Sequence, residues 1–188
     1  MGPLLVFTGL CVLVNAGDSV KFGFLPLYMD QDLHLDSAVR GAVIGIQPLV
    51  EFAIMPLSVM LARRIGLLWL MSGGAGLAVA ANICYATIGS ALGMFAGQIL
   101  MGGAWAIFAS LGIIIAQRLL PTAVATASAI FMSSSALSSA LGGLTGGFGV
   151  ATVGLPEVFF IPAAFSLLGV VGFAALARSG LLKSSMLW

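Results

Sequence analysis

LLVFTGLCVLVNAGDSVKFGFLPLY, Leu4–Tyr28, is the stretch that decides the fold. At 1.5 Å per residue it is long enough, as a helix, to cross the roughly 30 Å of hydrocarbon in a bilayer. It shows no strict alternation of polar and apolar residues, so a barrel strand is excluded. Its backbone groups must then be satisfied within the segment, which only a helix allows. Against that apolar background stand Asn15, Asp18 and Lys21. The next stretch, VRGAVIGIQPLVEFAIMPLSVMLA (Val39–Ala62), repeats the pattern with Gln47 and Glu51.

Working outward, the rest of the chain has the same character. Hydrophobic residues make up 61% of the 188 and charged residues 7%, with a mean hydropathy of +1.18, whereas soluble domains use about 25% charged residues. The sequence therefore reads as an all-α, polytopic membrane protein. Apolar runs at about 4–28, 39–62, 67–88, 91–116, 123–149 and 158–177 give six transmembrane helices in one domain covering 1–188. Met1-Gly2-Pro3 lacks the charged start of a signal peptide and the run behind it is too long for a signal core, so the first run is a true span. Val6 stands where a myristoylation motif requires Ser or Thr.

The joints carry most of the remaining charge. Asp30, Asp32, Asp36 and Arg40 lie in or beside the first loop, Arg63 and Arg64 in the second, Arg118 in the fourth, and Arg178 and Lys183 near the end of the chain. Six crossings put five of these basic residues on one side against Arg40 alone on the other. The positive-inside bias then makes both termini cytoplasmic and the acidic first loop external. The scattered basic residues form no stripe for nucleic acid and no polybasic run for anionic lipid. Cys11 and Cys84 fall at depths differing by roughly 15 Å, which excludes a disulfide. With His34 the single histidine and no Gly-x-Ser-Gly turn, neither a metal centre nor an intramembrane serine protease is indicated. No cofactor is expected.

Depth arithmetic places the polar residues of the first two helices together. Asp18 and Gln47 both fall about 21–22 Å above the inner face, and Asn15 and Glu51 both about 16 Å above it. Asn15, Asp18 and Lys21 step by three and Gln47 and Glu51 by four, so each set is expected on one side of its helix. The bland alternative is a local Asp18–Lys21 ion pair, with Lys21 snorkelling to the outer interface. Glu51 has no cation within a turn of its own helix, so its charge requires protonation or a partner elsewhere; otherwise it is a protonated side chain donating one interhelical hydrogen bond. Ionisable residues inside a bilayer mark substrate and ion pathways, and the cluster points to transport.

The remaining runs divide by polarity. The third and sixth hold no charged residue, the fourth holds Gln98 and Trp105, and the fifth holds Ser128, Ser133, Ser134, Ser135, Ser138 and Ser139. Helices one, two, four and five are expected to line a polar space, and three and six to face lipid. Gly41/Gly45, Gly93/Gly97, Gly142/Gly146 and Gly143/Gly147 are spaced for close helix approach, and Pro48 and Pro56 for bending the second helix.

In order along the chain, Leu25-Pro26-Leu27-Tyr28, Leu33-His34-Leu35, Gly41, Gly45, Val50-Glu51, Met55-Pro56, Ala62-Arg63-Arg64-Ile65-Gly66, Leu120-Pro121 and the small-residue stretch 123–139 resemble the C-terminal half of the sugar efflux transporters of the major facilitator superfamily. Arg63, Arg64 and Gly66 sit where that superfamily has a basic cytoplasmic loop, although Arg63 stands where an Asp is common. The resemblance implies one six-helix half, a pair of three-helix inverted repeats, of a carrier in the cell membrane. Such a carrier exports sugars or similar small polar compounds by alternating access, coupled to protons. It implies Asn15, Asp18, Gln98 and Trp105 as cavity residues and Gln47 and Glu51 as flanking wall or proton site; with Lys21 of the charged cluster these are the expected substrate and proton pathway. It also implies a second half supplied by an N-terminal half, another chain or a second copy. A multidrug-type carrier of the same superfamily, or a structural or truncated subunit without transport, are the alternatives; a structural subunit would tolerate replacement of Asp18 and Glu51.

Overall fold

The computed structural model describes residues 1–180; Lys183 and Ser184 lie outside the described residues. Among the described residues six long apolar helices follow one another: α1 (Gly2–Gln31), α2 (Ser37–Ile65), α3 (Leu67–Thr87), α4 (Ala91–Leu119), α5 (Val124–Val153) and α6 (Phe160–Arg178). Single 3₁₀ turns, Pro121–Ala123 and Glu157–Phe159, lead into the last two. α2 and α3 are separated by Gly66 alone, whose φ of +99° lies in a region that side chains with a Cβ rarely adopt. α1, α2, α4 and α5 run a few residues past the apolar runs, because their hydrogen-bond ladders continue where polar side chains already meet the interface, whereas α3 ends just short of its run and α6 begins after the start of its own. α1 continues through Pro26 and α2 through Pro48 and Pro56.

The packing order is set by small residues. α1 lies mainly on α5 and α6, α4 lies mainly on α2 and α3, and α3 lies on α6. Exchanging α1 with α4, α2 with α5 and α3 with α6 maps this set of partners onto itself. The paired helices run oppositely through the bundle, so the two three-helix units are inverted copies of one plan. A Cβ on Gly142 of α5 would stand 2.6 Å from Ser19 Cβ on α1, and one on Gly103 of α4 3.8 Å from Ile54 Cδ1 on α2. Two aromatic groups close the ends: Phe7, Phe131, Phe173 and Phe108 at one, Tyr28, Phe159 and Tyr85 at the other.

The expectation that α3 faces lipid is corrected in part. Trp69, Gly73, Ile83 and Thr87 do face outward, but Met71, Gly74, Ala75, Ala78, Ala81 and Tyr85 are buried against α4 and α6. Lack of charge does not separate lipid from protein, because lipid tails and neighbouring helices are equally apolar. The least covered helices are α2 and α5.

Candidate functional site

The site forms where α1, α2 and α4 converge. α1 is held from behind: a Cβ on Gly17 would lie 2.7 Å from Pro162 Cβ of α6 and 3.8 Å from Asn82 Nδ2 of α3. α2 is seated on α4, where a Cβ on Gly102 would lie 2.9 Å from both the Gln47 carbonyl oxygen and Val50 Cβ. The joint between α1 and α2 fixes their relative height. Asp36 caps α2 by accepting from the Ala38 amide at 2.8 Å, and Arg40 pairs back to Asp30 on α1. These acidic loop residues are therefore structural fittings.

Within that frame the Lys21 ammonium donates to Asp18 Oδ1 on its own helix and to Gln47 Oε1 on α2. Lys21 is 1% exposed, Asp18 7% and Gln47 5%. The snorkelling alternative for Lys21 is thereby excluded, since its head is turned inward. The ion pair itself is present, and Gln47 extends it into an interhelical bridge. Glu51 stands one turn further along α2, half-buried and within electrostatic reach of both Lys21 and Asp18. Its side chain makes no hydrogen bond among the described residues.

Asn15 does not join this bridge. Three-residue steps fall short of a 3.6-residue turn by about 60° each, so Asn15 and Lys21 point roughly 120° apart. Asn15 instead faces a cleft of about 240 Å³ between α1, α4 and α5, shared with Trp105, Phe108, Phe131, Ser134 and Ser135. Asn15 and Trp105 also border a void of about 10 Å³ toward Ala78 and Met101, at the lower limit for one water molecule. Gln98 reaches neither place. It is 1% exposed and accepts from the Tyr85 hydroxyl at 2.9 Å, tying α4 to α3. Ser134, Ser135 and Ser138 return their hydroxyls to carbonyls of α5 itself. Ser128 accepts from Gln117 of α4 at 2.9 Å.

Arg63 and Arg64 are exposed at the end of α2, where positive charge complements the helix dipole. Residues that sequence reading passed over include Tyr85 and Asn82. Asn82 is fully buried and donates to the Ala78 carbonyl at 2.8 Å, while its own Oδ1 has no hydrogen-bond partner among the described residues. A lone amide in an apolar run was the available signal for Asn82. For Tyr85 there was none, because only the facing Gln98 reveals its role.

The model of the Major Facilitator Superfamily matches residues 8–183. The chain belongs to the major facilitator superfamily. This is a family of transporters rather than enzymes, and the six-helix bundle is of the superfamily's type. A protein of Deinococcus radiodurans named "Putative sugar efflux transporter" is 33% identical over 144 residues, which are 75% of this chain and 36% of that protein. The chain thus spans about a third of the length of this curated relative. No solved structure gives a significant match. As a member of the superfamily the chain is a multi-pass membrane protein.

Proposed function

We propose that residues 1–188 form one six-helix half of a secondary carrier that exports sugars or similar small polar solutes in exchange for protons. The observation that carries this reading is the buried bridge of Asp18, Lys21 and Gln47, with Glu51 one turn away and making no hydrogen bond among the described residues. A charge inside a bilayer is costly and persists mainly on substrate or ion pathways. Asp18 and Glu51 are the candidates for the coupling proton, Lys21 and Gln47 their setting. Asn15 and Trp105 are candidates for contact with solute, the amide toward hydroxyls and the indole toward an apolar ring face. Gln98 serves this pathway indirectly, by fixing α4 against α3. The name borne by the Deinococcus radiodurans protein supports sugar as the solute class.

The second wall of the carrier comes from another six-helix unit: an N-terminal half, another chain, or a second copy. The open faces of α2 and α5 support this. Gly41, Gly45, Gly143 and Gly147 lie there at close-packing spacing, with nothing among the described residues within 4 Å of a Cβ at any of them. The cell membrane is the proposed location, with both termini and the loop of Arg63, Arg64 and Gly66 on the cytoplasmic side.

The test is uptake into inverted membrane vesicles under an imposed pH gradient, with radiolabelled sugars in one arm and lipophilic cations in the other. Accumulation of sugar supports the reading. Accumulation of cations alone favours a multidrug-type carrier. No gradient-driven accumulation of either, from well-expressed protein with its partner half present, refutes transport by this chain. In intact cells, Ser37→Cys is expected to label from outside and Ser184→Cys only after permeabilisation.

A further inference from the structure

Lys21 is held by a neutral acceptor on α2 while a carboxylate stands one turn away on the same helix. α1 and α2 make little other contact, so the bond from Lys21 to Gln47 is a principal tie between them at this depth. Glu51 follows Gln47 by four residues, a rise of about 6 Å. A lysine head on its flexible four-carbon stem covers part of such a distance, and sliding of α1 along α2 covers the rest. An ionised carboxylate adds a charge–charge attraction to the ammonium that a neutral amide oxygen lacks, so the preferred partner of Lys21 depends on whether Glu51 carries a proton.

We propose that Lys21 is a positioning residue that exchanges partners on α2: its ammonium stays on Gln47 while Glu51 is protonated and passes to the Glu51 carboxylate when that proton leaves, shifting the seam between α1 and α2. This rests on reading Glu51 as the proton-carrying group. Asp18 on α1 remains bonded to Lys21 in both arrangements and balances its charge. From α3, Tyr85 lies within electrostatic reach of Asp18, but its hydroxyl is committed to Gln98. α4 brings no charged side chain to this depth, its Arg118 lying in the last turn of the helix, and α5 carries no charged residue. The exchange converts occupancy by a proton into movement of one helix against its neighbour, which a coupled carrier requires.

Nitroxide labels at Phe22 of α1 and Leu49 of α2, both exposed, report the seam in the full chain with Cys11 and Cys84 replaced. Distances between them are measured by pulsed electron resonance in nanodiscs at mildly acid and mildly alkaline pH. The wild-type pair is expected to shift by several ångströms, up to about the 6 Å helix rise from Gln47 to Glu51. Glu51→Gln should hold the acid distribution at both pH values, and Gln47→Leu should favour the alkaline one at both. An unshifted wild-type distribution, or a Glu51→Gln variant that still shifts like wild type, overturns the exchange. Gradient-driven uptake in the same proteoliposomes separates the two ideas. Loss of coupling in Glu51→Gln with a seam that never moves refutes only the exchange, whereas full coupling in that variant refutes the reading of Glu51 on which it rests.

Discussion

The two inverted units build the same corner from different chemistry. Where α2 meets α4 and α1, the corner is closed by a charged bridge: Gln47 to Lys21 to Asp18. Where α5 meets α1 and α4, the matching corner is an open cleft of Asn15, Trp105, Ser134 and Ser135. The first corner depends on an ion pair that must stay satisfied, and the second on hydroxyls that already satisfy themselves on their own helix. One plan therefore offers a tied side and a roomy side; under the proposed function the first serves proton-dependent change and the second a polar solute.

Breaking the tied corner should have the largest effect on stability. Asp18→Ala leaves Lys21 buried without its counter-charge, a change that costs about 3–5 kcal/mol in buried pairs. Thermal unfolding in mild detergent should show a clear loss, largely restored by adding Lys21→Met. Gln47→Leu keeps the ion pair and removes one hydrogen bond to a charged group, so about 1.5–3 kcal/mol is expected. At the open corner, Ser135→Ala should stay within about 0.5 kcal/mol, since the residue is exposed and its hydroxyl bonds only within α5. Equal losses at the two corners would remove the contrast. Asp30→Asn, which breaks the part-exposed pair with Arg40, should cost less than about 1 kcal/mol.

Much of the architecture was legible in the residues, and the reasons are physical. Apolar runs of spanning length have few alternatives in a bilayer, so six helices followed directly from hydropathy. The match of Gln47 to the level of Asp18 followed from the constant rise of a helix. Azimuth was less legible: the steps from Asn15 to Asp18 to Lys21 look like one face, but the accumulated lag turns Asn15 to a different neighbour. Partners were least legible. Gln98 reads as a cavity amide in an apolar helix, and only the position of Tyr85 shows that it is a tie between α3 and α4. The outward or inward facing of α3 was hidden for a related reason, since Ala and Gly suit lipid and helix contacts alike.

The central claim is that the bridge on the tied side carries the coupling between protons and solute. It is tested most directly by reconstituting the wild type and the Glu51→Gln, Asp18→Asn double variant, each with the partner half, and measuring solute accumulation against an imposed pH gradient. The account predicts that the variant still equilibrates solute down its own gradient but accumulates none in response to protons. Gradient-driven accumulation equal to wild type in the double variant would contradict it.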